Sequence, residues 1–458
     1  MTKHVLLALA VFFPLRAFAA PVYLVSIDQS LASVDIEVTG LRSGSGLRAY
    51  TSHAARSSEF LDCDTGARLR FHGRTIRVPS GKDCLRYSIS LRNDSRTRYI
   101  PRGGDVRVTR INDWLWFPTS QRSAMRVKFF APKSIEVSVP WQQQADSSYR
   151  IMRSPRSGVA NAAFGRLNRH DIEIDGAVLR VAHIGSIPAK ERGKLSAWLS
   201  GAAKNVAKAY GAFPNPSVQV LLFDTHASRG SPVPFGAVVR NQGESVRFYV
   251  DGSRSLKDLN RDWTATHEFA HLLLPYIDDR WVSEGFASYF QNVLLARGGV
   301  YSETDAWSKL RAGFERGRLS APQLSPQAAS HTRGATMKMY WAGAVLALRA
   351  DLRIREISQS EKSLNTVLKG LQVCCLPAQR SYSAAEVFLR LDQMLPEAVF
   401  MPLYREYAHK PGFPDYQAAF ETLGVREERG RVRLSQDDEA ARLRESITAP
   451  ISQSETTP

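Results

Sequence analysis

Residues 265–290 read ATHEFAHLLLPYIDDRWVSEGFASYF, a stretch whose apolar first half carries two histidines and a glutamate. His267 and His271 lie four residues apart, so on an α-helix both imidazoles leave the same face, one turn from each other. Phe269, Ala270, Leu272, Leu273 and Leu274 surround them, which predicts a buried helix, and Pro275 stops it. Imidazole and carboxylate groups are costly to bury without partners, and a shared metal ion supplies one. A catalytic zinc takes three protein ligands and keeps a position for water. Glu284, separated from His271 by 12 residues, is the candidate for the third ligand. Glu268 points about 100° away from His267 and would face the water, where a carboxylate can take a proton.

Three phrases, THEFAH (266–271), WVSEGFASYF (281–290) and MYWAGAVLALRADLRIRE (339–356), resemble the gluzincin zinc metallopeptidases. The likeness is strongest to the glycyl aminopeptidase family and more distant to the aminopeptidase N family, and it extends more weakly over residues 363–423. It implies one Zn2+ ion, a peptide or protein substrate, and a third zinc ligand that opens the helix after the histidines. It also implies a tyrosine, matched by Tyr340 of YWAGA, whose hydroxyl meets the oxyanion formed when water attacks the peptide carbonyl. His331 is a rival for that role, because other gluzincins use a histidine. A strand ahead of the histidine helix is expected to carry the substrate backbone, and FGAVV from Phe235 would place Gly236 and Ala237 in the groove.

Two departures from these families stand out. Their aminopeptidases carry a glutamate in that strand to hold the substrate's free amine, whereas the corresponding run here, FGAVVRNQGESVRFYV, has Glu244 alone, in an expected turn. Aminopeptidase, endopeptidase and an exopeptidase with another amine anchor therefore all fit. The gap between His271 and Glu284 is also shorter than in the aminopeptidase N family. It closes if YIDDRWV is a turn and Ser283 caps a second helix from Glu284 to Gly298–Gly299. Ser288, one turn beyond Glu284, is then a candidate to hold a ligand from behind.

The 458 residues predict a multidomain α+β chain. Residues 20–150 alternate short β-prone runs with Gly, Ser, Asn and Asp turns, as in a β-sandwich-like domain. The polar stretch 142–161 is the expected boundary. Residues 165–330 follow a strand–helix–strand pattern, including a helix over 189–210 and a buried strand over 218–223, and the resemblance implies a thermolysin-like catalytic α/β domain there. Residues 331–434 should form a helical C-terminal domain, with Leu364, Val367, Leu368 and Leu371 on one apolar face. The polar end, 435–458, is expected to be disordered.

Residues 1–19 place Lys3 before an apolar run and end in Ala17-Phe18-Ala19, a secretory signal-peptide pattern that implies an exported, periplasmic or secreted protein. Their removal takes away Lys3 and Arg16 and lowers the formal charge from +17 to +15. The basic residues are scattered, which argues against nucleic acid and leaves weak contact with anionic envelope surfaces as the partner the charge allows. Cys63 and Cys84 are expected to pair, while adjacent Cys374 and Cys375 have either a strained vicinal bridge, free thiols or another chain open to them. A non-catalytic envelope binding protein on the same scaffold, or a hydrolase of cell-wall amides, is the alternative to a peptidase.

Overall fold

The computed structural model describes residues 20–97, 105–119, 124–151, 160–185, 187–225, 230–240, 243–376 and 380–449. The expected signal peptide, 1–19, lies outside them, as do 152–159 of the expected boundary and 450–458 of the tail. Among the described residues no helix is long and apolar enough to cross a membrane.

The N-terminal strands follow from alternation. In Val22–Ile27 the inward positions Tyr23, Val25 and Ile27 are buried, while the intervening residues are more open. Eight strands form one sheet, ordered Gln142–Gln143, Tyr149–Ile151, Met125–Phe130, Val22–Ile27, Ser33–Thr39, Leu85–Ser90, Ser58–Leu61 and Arg68–Leu69. Two three-stranded sheets accompany it, and Phe60, Trp114, Trp116 and Trp141 lie in the shared core. Cys63 and Cys84 are joined by a disulfide. Strand pairing involves the described residues at both ends of the stretch expected to be a boundary. Gln142–Gln143 and Tyr149–Ile151 extend the large sheet, and Asn161–Gly165 pairs with Val106–Arg110 and Glu136–Ser138. Gln142 and Gln143 are exposed residues of a sheet edge, which accounts for their polar composition.

A five-stranded sheet follows, ordered His170–Ile174, Ala177–Ile184, Ser217–Asp224, Glu244–Val250 and Phe235–Arg240. Its three inner strands are parallel, which requires a crossover, supplied by helix Ala189–Ala207 between the first two. One face packs on Val106, Val108 and Ala163 of the N-terminal region. On the other, Phe248 meets Trp198 at 5.4 Å and Phe269 at 5.6 Å between ring centroids. Phe235–Arg240 is left as the sheet's edge.

Beyond the sheet come the histidine helix Thr264–Ala270, the glutamate helix Arg280–Arg297, helix Glu303–Leu319 and the tyrosine helix Thr336–Ile357. The glutamate and tyrosine helices cross through glycine. A Cβ on Gly285 would lie 2.2 Å from Gly343 Cα, and one on Gly343 would lie 1.9 Å from the Trp281 carbonyl oxygen. One apolar core runs from Ile174 to Ile447, so the C-terminal helices share it with the histidine helix. Cys374 and Cys375 are bonded to each other.

The described part of the tail, 435–449, corrects the expectation of disorder there. Residues Asp438–Thr448 form a helix capped by the Asp437 side chain, which accepts from the Ala440 N–H. Arg444 is buried, donating to the carbonyls of Leu423 (2.7 Å) and Ser435 (2.8 Å) and pairing with Glu303 at 3.0 Å. Composition misled because only a narrow stripe, Ala440 and Ile447 among it, is buried, and a polar helix so anchored looks like solvated chain in sequence.

Candidate active site

The histidine helix is short and passes into a 3-10 turn, His271–Leu273, before Pro275. His271 keeps helical angles (φ −55°, ψ −29°), so the four-residue spacing still brings both rings to one face, with centroids 4.9 Å apart. The glutamate helix starts earlier than expected. Its N-cap is Asp279, Ser283 lies inside it, and Glu284 is reached only in the second turn. Trp281 and Val282 are fully buried, and that burial pulls the segment into the helix. The Asp279 carboxylate does not cap it but accepts from the Ala384 N–H at 2.7 Å.

Glu284 Oε2 sits 3.3 Å from His267 Nε2 and 3.4 Å from His271 Nε2. The three donor atoms lie within 4.8 Å of one another, and among the described residues no other trio of His, Cys, Asp or Glu does so. The remaining ring nitrogens are occupied: His267 Nδ1 meets Gln291 Oε1 at 2.7 Å, and His271 Nδ1 meets Ser283 Oγ at 3.3 Å. An amide oxygen only accepts, so His267 Nδ1 carries a proton, and when the ring is neutral its Nε2 presents a lone pair to Glu284. A lone pair facing a carboxylate is repulsive unless a cation, a proton or a metal ion, lies between them. The donor set therefore fits a zinc ion, with two nitrogens and one oxygen. Without one, burial works against charge on His267, but Glu284 and Glu268 outweigh it and raise its pKa. Burial likewise opposes ionisation of Glu284, yet His271 and His267 hold its pKa well below the carboxylate range.

Glu268 is buried beside this trio, and burial, helped by the charge of Glu284 and opposed by the histidines, raises its pKa. The edge strand passes directly over it, since a Cβ on Gly236 would lie 2.5 Å from Glu268 Cγ. Tyr340 stacks on His267 with centroids 5.7 Å apart. Burial first, then the charges of Glu284 and Glu268, push its phenol well above the ordinary value, so it remains a donor at neutral pH. Gly236, Ala237, Glu268, His271, Glu284 and Tyr340 together line a cleft of about 350 Å³, and His267, buried, reaches Glu284 from outside that lining. His331 is exposed and is not part of that lining.

By sequence, no family model and no curated protein matches the chain. Solved structures do match by fold. An aminopeptidase N family protein from Idiomarina loihiensis superposes with a TM-score of 0.66 at 14% identity, over 88% of this chain and 78% of that one. The M1 zinc metallopeptidase of Deinococcus radiodurans, solved as a mutant bound to a Tyr-Ser-Ala substrate, gives 0.52 at 14% identity, over 86% and 94%. This chain has the M1 zinc-metallopeptidase fold.

Within that fold, two groups at the site escape a reading of the sequence. Gln291, not Ser288, holds a histidine; it stands seven residues after Glu284, two turns along the same face, where a side chain long enough to reach back is required. Arg240 ends the edge strand and ties it to the histidines, donating to the carbonyls of His271 and Leu274 and pairing with Glu244 at 3.0 Å. An arginine closing an otherwise apolar strand was the available signal. Glu244 opens the next strand rather than sitting in a turn, and it is buried away from the cleft.

Proposed function

We propose that this chain is an exported zinc peptidase in which His267, His271 and Glu284 hold one zinc ion, Glu268 is the general base and Tyr340 the oxyanion donor. The convergence of three donor atoms within 4.8 Å, beside a buried carboxylate and a phenol in one cleft, carries the proposal. Zinc in such a set supplies Lewis acidity and a water whose pKa falls to about 7. Glu268 takes a proton from the attacking water and passes it to the leaving nitrogen, and its raised pKa suits both transfers. The Tyr340 hydroxyl donates to the carbonyl oxygen as negative charge gathers there. The free edge of Phe235–Arg240, with Gly236 and Ala237 over Glu268, pairs with the substrate's main chain and brings the scissile carbonyl between these groups.

No carboxylate on the edge strand meets a substrate amine: the strand carries no acid, and Glu244 is engaged by Arg240. We therefore read the enzyme as one that does not require a free amino terminus. Export is supported by the pattern of residues 1–19 and by two disulfides, which persist in oxidising compartments. The test is digestion of a library of free and acetyl-blocked peptides by wild type and by Glu268→Gln. Wild type should cleave both kinds, and the variant should keep zinc while losing about 10²–10⁴ in turnover. Undiminished turnover would remove Glu268 from its role, and cleavage of free peptides alone would restore an amine anchor.

A further inference from the structure

A second, larger cavity of about 730 Å³ adjoins the cleft, and Tyr340 lines both. Its inner wall includes Gln291, the residue that holds His267, so the cavity lies directly behind a proposed zinc ligand. Helix Glu303–Leu319 forms another wall. Asp305, Lys309, Ala312 and Arg316 fall at helical spacing and present one face to the cavity.

The charges on this helix are sorted. Arg311, pointing elsewhere, pairs with Glu427, and Arg318 pairs with Glu315 at 2.8 Å. Lys309 and Arg316, the two cations lining the cavity, are exposed and form no ion pair among the described residues. Each is instead held over a ring, Lys309 Nζ 4.8 Å from the centroid of Tyr301 and the Arg316 guanidinium 5.3 Å from that of Trp341. Cation–π contact favours one position of a cation without neutralising its charge or occupying its N–H donors. Asp305, the one acid in the lining, already accepts from the Ser302 N–H in the capping box at the helix start. Trp263 and Met337, 44% and 39% exposed, add apolar surface to the lining. A binding space with two cations outside any ion pair and with apolar walls suits a peptide bearing a carboxylate.

We propose that this cavity is the subsite for an acidic side chain of the substrate, with Lys309 and Arg316 as its specificity-determining residues, so that the chain acts on acidic peptides. The proposal rests on the peptidase function proposed above and deepens it. Arg316 can grip a carboxylate with two parallel N–H donors while Lys309 adds a point charge. Together they should favour Glu over Gln by on the order of tenfold.

Binding separates this from turnover. Fluorescein-labelled, end-blocked pentapeptides that differ by one Glu or Gln on either side of a central bond are titrated into the zinc-loaded Glu268→Gln protein. The Glu peptide of one pair should bind on the order of tenfold more tightly than its Gln counterpart. That preference should vanish when Lys309→Glu and Arg316→Glu are added, and shrink with the milder Lys309→Gln and Arg316→Gln. Equal binding of Glu and Gln peptides, or a preference that survives both double substitutions, would overturn the subsite while leaving the peptidase proposal standing. Failure of every peptide to bind, with none cleaved by wild type, would overturn both.

Discussion

Gln291 decides which nitrogen of His267 faces the cleft. By accepting from Nδ1 at 2.7 Å it leaves Nε2 as the nitrogen turned to Glu284, and Ser283 stands 3.3 Å from the matching nitrogen of His271. Such outer partners fix the ring and strengthen its lone pair. Gln291→Ala should therefore preserve the fold but weaken zinc binding by about 10–100-fold. Titration against a competing chelator reads this, and an affinity equal to wild type would show that the amide is only packing. The spacing of His267, Glu268 and His271 was legible because one helical turn dictates it, whatever the rest of the chain does. Gln291 was not, because reaching His267 depends on how two helices cross, which no local spacing encodes.

That crossing belongs to the elements. Gly285 and Gly343 let the glutamate and tyrosine helices touch backbone to backbone, and this closeness brings Tyr340 to the trio. A methyl group on Gly343 would meet the Trp281 carbonyl and Gly285, neither of which can swing aside. Gly343→Ala should cost about 1–3 kcal/mol and reduce turnover further than stability alone accounts for, because Tyr340 is displaced. Thermal unfolding and turnover measured together test it; a variant as stable and as active as wild type would mean that the crossing is slack. The sequence carried the histidine and tyrosine helices and the strands expected over 218–223 and from Phe235, but not helix Glu303–Leu319. It misplaced the start of the glutamate helix because YIDDRWV reads as polar turn, whereas Trp281 and Val282 are core residues of a helix that begins at Arg280.

At the scale of the molecule, one apolar core from Ile174 to Ile447 joins the central sheet, the site helices and the C-terminal helices. The site is therefore braced from segments far away in sequence, including the end that looked disordered. Arg297, at the close of the glutamate helix, donates to the Ile447 carbonyl at 2.7 Å, and Ile447 is fully buried. Truncation after Leu434 should expose that surface and lower the unfolding midpoint, since a buried Ile alone contributes about 1.5–3 kcal/mol. An unchanged midpoint would mean the tail merely rests on the core. What a polar sequence hides is the docking of a helix by a single buried stripe and one arginine, Arg444, whose partners Leu423, Ser435 and Glu303 come from three separate segments.

The proposed chemistry requires a metal held by two imidazoles and one carboxylate. Its most direct test is the zinc content of the purified, dialysed protein, wild type beside Glu284→Ala. One tightly held zinc per chain, lost in the variant, is the expected result; wild type without bound metal, or a variant that keeps it, would contradict the assignment.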